Sequence, residues 1–342
     1  MIKISEEIKK LYCDNDNMQE TAQTPSFCIK SFGDYEVPQY TIAIPTFNRV
    51  DLLKLAIDSA VNQDDFSDYE ILVVDNNPER DDATELLMRE YKSNERIAYY
   101  KNNKNLGMTG NWNKLYLLAR TEWVVMLHDD DMLYPDFMKI MTRTVESDKD
   151  ASCFYSCYNT FHGEGSEHPS REKHDVRVMT LREADYLTGC HLHAPLGMTL
   201  KRNVVFEMGG FNPNYYPSLD FQFHVKLAHY HVVRWLRDYP IASYRWLTNA
   251  SGKLETLYGW VEKDEAIKWM AFRNTNTHIP EWAYRKYLEY FRYLYMQNWF
   301  KSFNGKKEEL KKPSVFSNIV YLILKFRLGL PKKLRKHYTI KL

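Results

Sequence analysis

The sequence lacks the marks of several protein classes. Across 342 residues the formal net charge is only +1, so no global excess of basic charge points to nucleic acid. The five cysteines, Cys13, Cys28, Cys153, Cys157 and Cys190, are odd in number and fit no zinc spacing; reduced thiols are the expectation. The N-terminal stretch MIKISEEIKKLYCDNDN is polar and charged, unlike a secretory signal. The longest nearly apolar run in the C-terminal part, Val315 to Leu324, is roughly half of the ~20 residues that span a bilayer. No internal repeat or low-complexity segment interrupts the chain. A cytoplasmic protein is the expectation.

What is present is ordinary globular material with a high aromatic content. Hydrophobic residues make up 44% and charged residues 27%, enough to build a core and too balanced for extensive disorder. Aromatics reach 15%, with 25 Tyr and 8 Trp. Such rings stack on sugars and bases, and equally well on one another in a core.

Regular patterning begins near Tyr40. Short apolar runs at Thr41–Ile44, Ile71–Val74, Ile97–Tyr100 and Trp123–Leu127 read as buried parallel strands. Helical spacing separates them: Val50 to Val61 behind a potential cap at Asn48, then Asp82 to Tyr91, then Asn111 to Ala119. Strand and helix in alternation predict an α/β fold with a mostly parallel sheet flanked by helices. Ligands in such sheets bind beyond the carboxyl ends of the strands. Each strand there ends in polar residues: Thr46 and Asn48, Asp75 and Asn76, then His128 to Asp131. These tips are expected to share one rim. Residues 1–38 read as an irregular arm with one short helix, 39–255 as the main domain and 256–342 as a helical extension.

Asp129-Asp130-Asp131 stand consecutively at a strand end. Uncompensated, they repel one another. A hard divalent cation, Mn²⁺ or Mg²⁺, relieves that repulsion and favours carboxylate oxygen together with substrate phosphate. A solvated acidic turn with Asp131 as a helix cap is the competing reading.

The ordered set Ile44-Pro45-Thr46-Phe47-Asn48-Arg49, Val73-Val74-Asp75-Asn76-Asn77, Asn105-Leu106-Gly107, Leu127 to Asp131 with Pro135, and Gly209-Gly210-Phe211 followed by Leu219-Asp220 resembles the inverting glycosyltransferases of family 2, which have the GT-A fold. The likeness covers roughly residues 39 to 230. It implies transfer of a sugar from a nucleotide-sugar, UDP-linked by family habit, to a glycan or lipid-linked glycan acceptor in surface polysaccharide or glycolipid synthesis. By the same resemblance Pro45, Thr46, Asn48 and Arg49 hold the nucleotide, Asp75 with Asn76 beside it meets the base, and Asn105, Gly107, Asn111 and Lys114 cover it. Asp129 then lies near the ribose, Asp130 binds the metal and Asp131 supports. Asp220 is the single base expected to take the proton of the acceptor hydroxyl, its competing role being a helix N-cap. Two residues depart from the family pattern. His128 stands where an Asp is common and is open between metal ligand, ribose contact and packing. In Tyr244-Arg245-Trp246-Leu247, Leu247 stands near a His that is common just after a Tyr-Arg pair, which leaves open weaker metal binding or compensation by another histidine such as His191 or His193. These departures leave a non-catalytic nucleotide-sugar-binding scaffold as an alternative. A nucleotidyltransferase is disfavoured, because the first loop lacks a Gly-rich phosphate signature.

The C-terminal segment is basic, from Lys306 to Lys341, and carries Phe316, Ile319, Val320, Ile323 and Phe326 at helical spacing. It is open between a helix lying on an anionic membrane through residues 313–342, at the inner face of the plasma membrane, and a helix packed on the main domain.

Overall fold

A computed structural model of the chain describes residues 15–163, 165, 167–172, 174–189, 194–246, 254–302, 312–333 and 337–341. Cys13, Cys190, His191, His193, Leu247 and several C-terminal basic residues, Lys306 and Lys311 among them, lie outside the described residues. Cys28, Cys153 and Cys157 are free thiols.

The strands are β1 Ser26–Lys30, β2 Tyr40–Thr46, β3 Tyr69–Asp75, β4 Ile97–Asn102, β5 Trp123–Met126, β6 Met132–Leu133, β7 Cys153–Tyr155, β8 Tyr158–His162, β9 Val176–Leu181, β10 Thr199–Lys201, β11 Val233–Arg237, β12 Ala242–Trp246 and β13 His337–Ile340. The helices are α1 Asn17–Ala22, α2 Val50–Val61, α3 Ala83–Met88, α4 Gly107–Leu118, α5 Phe137–Ser147, α6 Arg202–Glu207, α7 Leu219–Tyr230, α8 Leu254–Asn274, α9 Glu281–Ser302 and α10 Val315–Lys333.

The main sheet runs β1-β4-β3-β2-β5-β10-β7-β11-β9-β13, and β6-β12-β8 form a smaller second sheet. The expected parallel centre is there: β4, β3, β2 and β5 pair in parallel. Beyond it the sheet is mixed, with β10 antiparallel to both β5 and β7. The apolar runs are continuous because both faces of the central strands are covered. Ala43, Leu72, Val74, Ala98, Val124 and Met126 face one core cluster. The alternate residues, Ile42, Ile44, Ile71, Val73, Ile97 and Val125, face the other.

Two expectations about the ends need correction. Residues 26–30 of the supposed irregular arm form β1, which pairs antiparallel with β4 and covers that sheet edge. The extension is not helical to its end, because β13 adds antiparallel to β9 at the opposite edge. Both strands are short, and each is stabilised by an edge that no local pattern reveals. The extension packs inward as well: Tyr284, Tyr287, Val320, Tyr321 and Leu324 join the core cluster that contains the α7 residues Phe221 and Phe223.

Candidate active site

The parallel register brings the polar tips together. Thr46 pairs with Asp75 at the ends of β2 and β3, and Ala43 of β2 pairs with Met126 at the end of β5. The chain then leaves β5 through a tight turn in which the Asp131 amide donates to the His128 carbonyl at 3.2 Å. This turn carries Asp129 and Asp130 beside the first loop. Thr46 Oγ1 donates to Asp129 Oδ2 at 2.9 Å, and Arg49 Nη1 donates to Asp130 Oδ2 at 2.7 Å.

Above these tips lies a cleft of 660 Å³. Of the residues expected at the site, Pro45, Thr46, Arg49, Asn76, Asn105, Gly107, Asn111, His128, Asp129, Asp130 and Asp220 line it. Asparagine side chains hold much of one wall. Asn76 Nδ2 donates to Asn105 Oδ1 at 2.8 Å and to the Gly107 carbonyl at 3.1 Å. Asn111 Nδ2 donates to the Val74 carbonyl at 3.1 Å. Gly107 has φ of +67°, a backbone region that favours glycine, and there the chain turns into α4.

Three expected residues do not line the cleft. Asp75 is fully buried: its Oδ2 accepts from Tyr99 Oη at 2.8 Å and from Lys101 Nζ at 2.9 Å, and its Oδ1 accepts from the Asn77 amide at 2.9 Å. Its oxygens are thus committed inside the protein. Asn48 has φ of +55° and its side chain accepts from Asn77 Nδ2 at 3.0 Å, so it shapes the first loop instead of capping α2. Lys114 is buried on α4 and donates to the Thr24 carbonyl, tying down the segment between α1 and β1.

The acidic turn is anchored from the second sheet. The Arg245 amide on β12 donates to Asp131 Oδ1 at 2.7 Å, and its Nε donates to the Asp130 carbonyl at 2.8 Å. Asp131 therefore supports the turn from beneath. Its other oxygen lies 3.2 Å from His128 Nδ1. His128 stacks on Trp112 with centroids 5.4 Å apart, and its Nε2 is buried without a partner. Burial disfavours a charged His128, but the Asp131, Asp130 and Asp129 carboxylates outweigh it and raise its pKa above the ordinary histidine value. Asp129 is pushed up to about 6, first by burial and then by Asp130. Ligand atoms of His128, Asp130 and Asp131 all lie within 4.8 Å of one another. This donor set, with an unpaired buried imidazole nitrogen whose other nitrogen faces a carboxylate, fits a divalent cation.

Asp220 stands in the same cleft, at the start of α7. Its Oδ1 accepts from the Phe221 amide at 2.8 Å. Burial, reinforced by the charge of Asp264, pushes its carboxyl up to about 7. The remaining wall comes from segments outside the five matching motifs. Tyr216, Tyr244 and Trp246 line it, together with Thr256, Trp260, Asp264 and Tyr295 from the extension. Trp260 Nε1 donates to the Pro217 carbonyl at 3.2 Å. Tyr244 and Trp246 belong to the stretch in which the family carries a His after a Tyr-Arg pair, while for the part from the extension the sequence signal is aromatic richness, which suits a core equally.

Comparison with known proteins gives the same outline. Residues 41–207 match the family described as Glycosyl transferase family 2. A GalNAc(5)-diNAcBac-PP-undecaprenol beta-1,3-glucosyltransferase of Campylobacter jejuni is 42% identical over 98 residues, covering 28% of this chain and 31% of that protein. A chondroitin synthase of Pasteurella multocida is 26% identical over 163 residues, covering 43% of this chain and 17% of that one. The chain thus spans less than half the length of either relative. Among solved structures, S. aureus TarS 1–349 in complex with UDP-GlcNAc superposes with a TM-score of 0.54 at 14% identity, covering 83% of this chain and 79% of that one. The likeness gives the fold, GT-A. Residues 41–207 thus match glycosyl transferase family 2, and the chain shares the GT-A fold of the solved neighbour.

Proposed function

We propose that the protein is an inverting, metal-dependent glycosyltransferase. It moves a sugar from a nucleotide-sugar, UDP-linked, to a hydroxyl of a glycan or lipid-linked glycan in surface polysaccharide or glycolipid synthesis. One observation carries this reading: Asp220, a recessed carboxylate at the start of α7, shares a cleft with the Asp129–Asp130 turn. The undecaprenol in the name of the Campylobacter relative supports a lipid-linked acceptor.

Asp130 and His128 would hold Mn²⁺ or Mg²⁺, which supplies positive charge against the donor diphosphate. Arg49, already on Asp130 and 38% exposed, adds a second cation near the same place. Asp129 and Thr46 form a polar floor for the ribose. Asp220 takes the proton of the acceptor hydroxyl as that oxygen forms the new glycosidic bond and the nucleoside diphosphate departs. A single base with direct displacement inverts the anomeric carbon.

The test is a panel of nucleotide-sugars with Mn²⁺ or with EDTA, scored by nucleotide release and product formation. Transfer from a UDP-sugar with Mn²⁺, lost with EDTA and in Asp130→Asn, is expected. Binding without any release would make the protein a scaffold. His128→Ala is expected to weaken Mn²⁺ affinity about tenfold or more, read by calorimetric titration; unchanged affinity would remove His128 from the metal site.

The rate should also depend on pH in a defined direction. Asp220 must be ionised to accept a proton, so activity should fall below a pH of about 7. Asp264 raises the Asp220 pKa by like charge. Asp264→Asn should therefore move the acid limb of the kcat/KM profile to lower pH, and a limb that stays in place would detach Asp264 from the base.

A further inference from the structure

Helix α10 is apolar on two faces, and only one of them is used. Val320, Tyr321 and Leu324 pack inward against the core, while Val315, Phe316, Ile319, Leu322, Ile323 and Phe326 are exposed, from 49% at Ile319 to 76% at Val315. At 3.6 residues per turn, these six positions fall on one continuous arc of about 120°. Lys325 and Arg327, both exposed, follow at its two margins. Trp282, at the start of α9 and 57% exposed, stacks on Phe316 with centroids 6.0 Å apart and widens the apolar surface. From Lys311 to the end of the chain there is lysine and arginine but no aspartate or glutamate.

We propose that this face docks on an anionic lipid bilayer, with α10 lying in the plane of the headgroups. An apolar stripe bordered on both sides by long cationic side chains suits that boundary: the hydrocarbon enters the acyl region and the charged ends reach the phosphates. No helix among the described residues is long and apolar enough to cross a membrane, so the contact is peripheral. A second copy fits less well. A two-fold contact through the stripe brings the same basic margins together with no acidic residue on α10 to answer them. Trp282 and the cleft-lining Tyr295 stand on one helix, roughly 20 Å apart along its axis, so a docked α10 holds the cleft close to the membrane surface. The docking proposal rests on α10 alone, and it survives if the donor or the reaction is assigned differently.

The test is flotation of the full chain with vesicles of phosphatidylcholine alone or with roughly a quarter phosphatidylglycerol. Partitioning should be about tenfold or more stronger on the anionic vesicles and should weaken with added salt. The triple variant Leu322→Ser, Ile323→Ser, Phe326→Ser should lose at least about a hundredfold of this partitioning at an unchanged melting temperature. If that variant melts lower, Lys325→Glu with Arg327→Glu gives an independent measurement, and the preference for anionic vesicles should disappear. The proposal is overturned if the native chain fails to float on anionic vesicles or if the variants float as well as the native chain. It is equally overturned if light scattering shows a dimer that the triple serine variant dissociates while neither protein binds lipid.

Discussion

Asp220→Asn is expected to slow sugar transfer by about a thousandfold while leaving nucleotide-sugar affinity within about twofold. The amide has the same size, and its carbonyl oxygen can still accept from the Phe221 amide that Asp220 Oδ1 now meets at 2.8 Å, so α7 should start as before. What the amide cannot do is hold a proton. The hydroxyl must then attack without a base, and the acid limb set by a carboxyl near 7 should vanish with the rate. Single-turnover transfer and equilibrium titration of the nucleotide-sugar, measured on one preparation, separate the two effects. A loss smaller than about tenfold would place the base elsewhere, and Asp264 is the next carboxylate on the cleft wall.

The second large effect lies beneath the site. Lys101 is fully buried, and its Nζ donates to Asp75 at 2.9 Å and to Asp82 at 2.8 Å. Lys101→Met should cost about 3–5 kcal/mol of stability, because it leaves buried carboxylate without its cation. Denaturant unfolding reads this as a lower midpoint at an unchanged slope. Adding Asp75→Asn to Lys101→Met should restore part of the loss, since the stranded charge is then removed. A single variant that loses less than about 1 kcal/mol would mean that water reaches Asp75 and replaces the pair. That outcome would also reopen Asp75 to a ligand, which its committed oxygens now argue against.

Asp75 shows how far a sequence carries such a site. Its place at the end of an apolar strand was legible, because a parallel strand buried on both faces must be a continuous hydrophobic run that stops in polar residues. The same reasoning placed Thr46 and the Asp129–Asp130 turn on one rim. What those oxygens bond to was not legible. Lys101 sits 26 residues away and reaches Asp75 only because β4 pairs beside β3 in one register. Lys114 and Asn48 illustrate the same limit, each belonging to a plausible stretch yet turned toward protein partners by the local backbone.

Read alone, the chain predicts the alternating α/β framework, the convergence of the strand tips, and Asp129, Asp130 and Asp220 as three of the carboxylates of the cleft. These depend on local periodicity and on ordered motifs, which act at short range along the chain. Tertiary structure alone decided that β1 and β13 complete the sheet at its two edges, that Arg245 anchors the acidic turn, and that Asp264, Trp260 and Tyr295 of the extension close the cleft. It also decided which face of α10 is spent on the core and which remains exposed. Each of these is a contact between segments far apart in the chain, fixed by strand pairing and side-chain packing, and no residue spacing records it.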